Sequence, residues 1–431
     1  MSASMENISQ LERRLDISLP PTEIDSEVQN RLKNLARTVK MDGFRPGKVP
    51  LKVVAQHYEE QVRREVLGTA LQKNFGDAVR AQNLKVAGYP KFEAREGGPF
   101  EYSATFEIYP EVTVGDLSKI SLQRPVAQVG ESDVDKTLQV MRRQRATFEP
   151  VARAAAAGDR VILDYTGRVA GQEFDGGKGT DVAIILGEGR FLPAFEAQLL
   201  GLETGAAKTF EIHFPQDYHG KELAGKTATF DIVLKQIAEA KLPPVDGAFA
   251  RALGIEDGDL DRMRDEIRAN LERELKQRVA LRLKEQVMQA LFDSTKVEIP
   301  KSLVELEIEH LTAAARHDLE ARGARTEGVP FPRDVFEAQA QRRVKLGLIL
   351  AEVVRANGLQ AQPEQVQALA EERAQSYEQP EQVVQWIYQS PQRLRELESA
   401  VVEDNVVQWA LRSARVEDKT VTFDELMGQS K

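Results

Sequence analysis

The chain has 431 residues, with 58 Lys and Arg against 68 Asp and Glu for a formal net charge of −10, and it contains no cysteine. Absent cysteine excludes disulfides, thiolate metal sites and a cysteine nucleophile, and the acidic total argues against bulk nucleic-acid affinity. The 42% hydrophobic and 29% charged content belongs to a folded protein of about two to four domains, and with only 6% aromatics the core must be largely aliphatic. No apolar run approaches the roughly 18 residues of a membrane span. The first twenty residues scatter charge and lack the apolar stretch of a signal peptide, so a cytoplasmic protein is expected.

Charge varies along the chain. Residues 1–115 are neutral, 116–147 carry +2, 148–243 carry −4 and 244–431 carry −8. Within the neutral segment, Arg31, Lys33, Arg37, Lys40, Arg45 and Lys48 face a single acid, Asp42, which makes a local cationic patch. Leu11, Leu15, Ile17 and Leu19 alternate loosely and predict a strand, and Ile24, Val28, Leu32, Leu35 and Val39 then predict an amphipathic helix. DGFRPGKVP breaks the pattern, because Gly43, Pro46, Gly47 and Pro50 cannot continue a helix. A second helix is predicted from Val62, Val66, Leu67, Ala70, Leu71, Phe75 and Val79, and a second strand from Phe100. A connecting stretch, 116–147, leads to a glycine-richer region, 158–242, with the strand-like runs RVILDYTGRV, VAIILG, KTFEIHF and TATFDIVLKQI and one short helix, FLPAFEAQLLGL. The paired prolines of LPPVDG mark an exit linker at Leu242–Gly247. Long amphipathic helices punctuated by proline and glycine fill the remainder, one of them stopped by Asn357-Gly358.

Two motifs are decoys. Gly220–Thr227 spells the phosphate-loop pattern GxxxxGK[ST], but FPQDYH precedes it and a strand follows it, so no helix N-terminus is there to hold phosphate. His310 and His317 lie seven apart and lack zinc spacing, and His213 and His219 have no Ser or Asp relay.

Two constellations carry chemistry. Gly43-Phe44-Arg45-Pro46-Gly47-Lys48-Val49-Pro50 sets an aromatic between glycines and prolines beside cations; from the residues alone it is either a surface turn or a docking anchor. The string resembles the ribosome-docking signature GFRxGKxP of the trigger factor family, bacterial nascent-chain chaperones, at every fixed letter, with Pro46 where a basic residue is often found. The second set is Tyr165, Phe174, Asp175, Ile184, Leu192, Phe195, Tyr218 and Phe230, which on composition alone are core residues of a small β domain. Their framework, DYTGRVAGQEFDGG, ILGEGRFLPAFE, FPQDYH and ATFDIVL, resembles an FKBP-type prolyl isomerase. It departs at Ala194, where glycine is common, and at Phe195, where stand-alone members often carry tryptophan. YPEV, FEAQAQRRVKLGLILAEVV and TFDELM extend the trigger factor resemblance over essentially the whole chain.

The resemblance implies a multidomain α+β protein. A ribosome-docking α+β domain spans 1–115, and a linker packing with the C-terminal domain spans 116–147. An FKBP-like antiparallel sheet with a short helix spans 148–243, and an all-α chaperone domain with helical arms spans 244–431. By the same resemblance Tyr165, Phe174, Leu192, Phe195, Tyr218 and Phe230 line a proline pocket, with Asp175 at its rim and Ile184 in the same set. Gly43, Phe44, Arg45, Pro46, Gly47, Lys48 and Pro50 contact the ribosome. The implied function is a ribosome-associated chaperone that binds nascent and unfolded polypeptides at the exit-tunnel rim of the large subunit and isomerises X-Pro bonds. It is expected to need no cofactor or metal, to have no membrane partner, and to form a weak homodimer off the ribosome. The rival reading is a free FKBP-type isomerase that does not dock.

Overall fold

The computed structural model describes residues 3–428 except 43, 45, 46, 96, 97, 99, 219, 327, 376 and 378. The chain folds as two compact units, Met1–Arg124 with Leu281–Lys419, and Pro125–Ala280 with Thr420–Lys431.

The first unit opens with β1 (Ala3–Asn7), β2 (Glu12–Ser18), α1 (Pro21–Thr38), α2 (Leu51–Ala81), β3 (Val86–Ala94) and β4 (Glu101–Ile108). The strands form an antiparallel sheet in the order β1-β2-β4-β3. Alternation in β2 buries Leu15 and Ile17, and the four-residue spacing of Ile24, Val28 and Leu32 buries one stripe of α1. These side chains share a core with Phe75 and Phe106, whose rings meet edge to face at 5.0 Å. Proline starts both helices: Pro21 supplies a fixed φ in the first turn of α1, and Pro50 immediately precedes α2. Helix α2 begins well before Val62, where its apolar period becomes readable. Val54 is fully buried in the early part, but Lys52, His57, Glu59 and Glu60 break the pattern around it.

The stretch 116–147 is ordered rather than merely connecting. A 3-10 turn at Leu117–Lys119 precedes β5 (Ser121–Val126), followed by α3 (Glu131–Gln144) and β6 (Thr147–Pro150). Leu117 and Leu122 pack with Val287, Leu291, Ile349 and Val353, while Val134 and Leu138 pack with Phe249, Met263 and Ile267.

In the second unit, β7 (Arg160–Val169), β8 (Gln172–Ile185), α4 (Pro193–Leu199), β9 (Ala207–His213) and β10 (Thr227–Lys241) follow. The antiparallel sheet runs β6-β10-β7-β8. Strand β10 pairs with β7 along one edge; on the other, Thr227–Val233 pairs with β9 and Ala238–Lys241 with β6. The register slips at Lys235, whose ammonium reaches Asp164 and Asp181, each at 2.7 Å. The core under this sheet is Val161, Leu163, Ile184, Leu199, Ile232 and Leu234.

Helices dominate what remains: α5 (Gly247–Ala252), α6 (Leu260–Ser294), α7 (Lys301–Ala321), α8 (Arg333–Asn357), α9 (Pro363–Ala374), α10 (Pro380–Tyr388) and α11 (Pro391–Ser413). The chain then forms β11 (Arg415–Thr420), which pairs with β5, and α12 (Phe423–Met427). Helix α6 carries two buried stripes at four-residue spacing, Met263-Ile267-Leu271 and Leu283-Val287-Leu291. Val304, Ile308 and Leu311 of α7 pack with Ala340 of α8. Gly358 ends α8 in the left-handed conformation at φ +64, where glycine avoids the Cβ penalty. Among the described residues, no helix is long and apolar enough to cross a membrane.

Candidate functional site

Strands β7, β8 and β10 and helix α4 each bring an aromatic ring to one cavity of about 390 Å³. Tyr165 stands on β7, Phe174 on β8, Phe195 on α4 and Phe230 on β10, while Leu192 precedes α4 and Tyr218 follows β9. All six line the cavity. Phe195, only 2% exposed, is the hub: its ring meets Phe230 at 5.2 Å and Tyr165 at 6.1 Å, both near perpendicular. Phe174 sets its edge against Phe230 at 6.1 Å. Such edge-to-face pairs are preferred because ring edges are electropositive and faces electronegative. The wall is therefore stiff, apolar and shaped.

Two members of the expected set are not in the wall. Ile184 is 1% exposed and belongs to the core beneath the sheet, because the pleat of β8 turns it inward. Asp175, expected at the rim, is exposed on β8 beside Gly176, which lines the cavity. The cavity also has walls that sequence reasoning did not single out. Phe191 stacks on Phe195 at 4.9 Å, and Phe214 lies 4.7 Å from Tyr218; Ile212, Arg190, Pro193 and Gly189 complete the lining. Phe191 and Phe214 lie inside ILGEGRFLPAFE and FPQDYH, two of the stretches that carry the FKBP-type resemblance, and that framework is the signal that could have found them. Another unsingled residue, Glu196, is a buried acid whose carboxylate accepts from the backbone amides of Gly187 and Phe191.

Glycines make room for the rings. A Cβ on Gly167 would fall 2.6 Å from Phe230 Cε1, and one on Gly179 would fall 2.5 Å from Tyr165 Cε1. Away from the cavity, Asp159 anchors the turn before β7. Burial works against its charge, but the Arg153 fork at 2.6 and 3.0 Å and the Ala156 amide at 2.9 Å outweigh it and hold the carboxyl below its ordinary 3.8. The phosphate-loop look-alike at Gly220–Thr227 is a turn entering β10, with no helix after it.

The second candidate is the loop between α1 and α2. Gly43, Arg45 and Pro46 lie outside the described residues. Phe44 is 40% exposed, its amide donating to Met41 O at 3.2 Å. Gly47 turns the chain at φ +76 beside the carbonyl of Arg37, Lys48 is exposed, and buried Val49 pins the loop to the core before Pro50 starts α2. Phe44 and Lys48 are thus both exposed, four positions apart in the chain.

Comparison with known proteins decides what these two features belong to. The family model described as "Bacterial trigger factor protein (TF)" matches residues 1–141, and its C-terminal counterpart matches 259–412. The model "FKBP-type peptidyl-prolyl cis-trans isomerase" matches 151–235. Trigger factor of Nitrosospira multiformis is 54% identical over the full length of both chains, and that of Aromatoleum aromaticum is 53% identical over the full length of both. The chain belongs to the trigger factor family. A solved structure of the trigger factor chaperone also matches, at TM-score 0.48 and 19% identity, over 96% of this chain and 99% of that one. As a trigger factor family member, the chain is a chaperone with a prolyl isomerase domain, and its N-terminal domain is the ribosome-docking one. Ribosome and nascent-chain binding follow from the same membership. The FKBP-type match contains every residue that contributes a ring to the cavity, and the N-terminal match contains the Phe44 loop.

Proposed function

We propose that residues 1–115 dock this protein at the exit-tunnel rim of the large ribosomal subunit, that 148–243 catalyse cis/trans isomerisation of X-Pro bonds, and that 244–431 hold unfolded segments, with 116–147 as the link. The observation that carries the enzymatic reading is the ring-walled cavity formed by Tyr165, Phe174, Leu192, Phe195, Tyr218 and Phe230. Rotation about an X-Pro bond is resisted by amide resonance, a barrier of ~18–20 kcal/mol. The planar amide is charge-separated and the twisted one less so, so a dry aromatic wall disfavours the planar form. The wall also clasps the proline ring while the preceding residue swings. Each ~1.4 kcal/mol removed from the barrier is tenfold in rate. No nucleophile, metal or cofactor enters this scheme.

Docking rests on Phe44 as an apolar anchor, with Arg45 and Lys48 attracted to the anionic ribosome. Tethered there, weak contacts with emerging hydrophobic segments gain from effective concentration. A cytoplasmic site of action and a weak homodimer off the ribosome belong to the same reading.

Two measurements on the full chain test it. Phe195→Ala or Tyr218→Ala is expected to abolish most isomerisation of an X-Pro peptide, and unchanged rates would remove the cavity from the mechanism. Co-sedimentation with ribosomes is expected to be lost in a Phe44→Ala/Arg45→Ala/Lys48→Ala variant. Full co-sedimentation of that variant would favour the rival reading, a free prolyl isomerase.

A further inference from the structure

We propose that Glu196 is a positioning residue for the isomerase reaction: its buried carboxylate clamps the loop that forms one lip of the cavity. This rests on the isomerase reading above. Glu196 is 6% exposed, and no cation pairs with it among the described residues. Its Oε2 accepts from the Gly187 amide at 2.8 Å and its Oε1 from the Phe191 amide at 3.1 Å. Both oxygens of one carboxylate thus hold two amides four residues apart, closing the loop back onto α4. Burying a carboxylate without a cation is costly, and two charge-assisted N–H bonds offset that cost.

Besides the carboxylate, the loop is held by the Glu188 amide donating to Ile185 O at 3.4 Å and by Arg190 Nη1 donating to Ala183 O at 3.1 Å, and neither of these bonds reaches the Phe191 backbone. Gly187, Glu188, Gly189 and Arg190 are all exposed, and Gly187 and Gly189 have φ of +97 and +71 with open space where a Cβ would be. Yet this segment supplies Gly189, Arg190 and Phe191 to the lining, and Phe191 stacks on Phe195 and meets Tyr165 edge to face at 5.6 Å. The carboxylate touches no substrate. It decides where Phe191 stands before substrate arrives, so its loss weakens binding of planar and twisted amide alike.

Glu196→Gln keeps one acceptor but turns an NH₂ toward the second amide, leaving Gly187 or Phe191 unpaired. In the full-length, folded variant, KM for an X-Pro peptide is expected to rise about tenfold with kcat within about twofold. A purely structural role would lower the melting temperature and leave KM unmoved, and that result overturns the proposal. If the variant does not fold, amide exchange on the unmodified chain decides. Gly187 and Phe191 are expected to exchange more slowly than Gly189 and Arg190, and equal exchange overturns the clamp. An unmodified chain that shows no isomerisation would instead defeat the isomerase reading, and the same exchange comparison would still judge the clamp.

Discussion

Phe230 and Phe174 occupy space that a side chain on β7 would otherwise fill. Because a Cβ on Gly167 would lie 2.6 Å from one ring and 3.0 Å from the other, Gly167→Ala forces both rings to move. Overpacking of this kind costs about 1–3 kcal/mol. The expected outcome is a lower urea midpoint together with slower X-Pro isomerisation, and a variant unchanged in both would show that the rings are free to shift. Asp159 supplies a pH test. Its folded carboxyl lies below the ordinary 3.8, so its stabilising contribution is complete above the unfolded value and is lost as pH falls through the folded one. Urea midpoints of the unaltered chain and Asp159→Asn are therefore expected to differ at about pH 6 and to converge as pH falls through the folded value. An equal gap above and below that value would remove the Arg153 fork from the account.

Helix α7 illustrates how an element borrows its ending from elsewhere. Pro300 offers it no side-chain cap, and Glu107 on β4 accepts from the Lys301 amide at 3.1 Å and the Ser302 amide at 2.7 Å. Ser302 in turn donates to Ala87 O at 2.9 Å and packs where a side chain on Gly88 would stand. A carboxylate at a helix N-terminus satisfies orphan amides and meets the positive end of the dipole. Glu107→Ala is expected to cost about 1 kcal/mol in denaturant titrations, with Glu107→Gln milder. Faster amide exchange confined to the first turn of α7 would accompany it, and unaltered exchange there would rule the cap out.

At the scale of the whole molecule, a chain of net charge −10 is read as approaching a polyanion, so binding must rest on a local patch. With a Debye length of ~10 Å at 0.1 M salt, the cationic share of the proposed docking would weaken as salt rises, whereas an apolar contact through Phe44 would not. Lys48→Ala is therefore expected to flatten the salt dependence of ribosome co-sedimentation, and Phe44→Ala to lower affinity at every salt concentration with the slope retained. Identical slopes for the unaltered chain and Lys48→Ala would exclude that charge from the contact.

Legibility in the sequence followed the range of the interactions. Period four in Ile24-Val28-Leu32, alternation through Leu15 and Ile17, and the Asn357-Gly358 stop are local rules, and each was readable because the residues that enforce them are neighbours in the chain. The six ring and leucine residues of the cavity were readable through the FKBP-type framework that carries them. Strands β1, β3 and β11 were not, and in β11 all residues but one are exposed, which leaves no alternation to read. Nor could local pattern reveal that Ile184 faces the core, that Phe191 and Phe214 join the wall, or that Glu107 caps a helix nearly two hundred residues away. Composition and periodicity alone determined the helices and strands that bury a regular stripe, and the presence of an aromatic set and a cationic loop. Which rings share a cavity, which acid holds its lip and which distant strand closes a helix were decided only by tertiary packing, since those contacts join residues that no chain-local period relates.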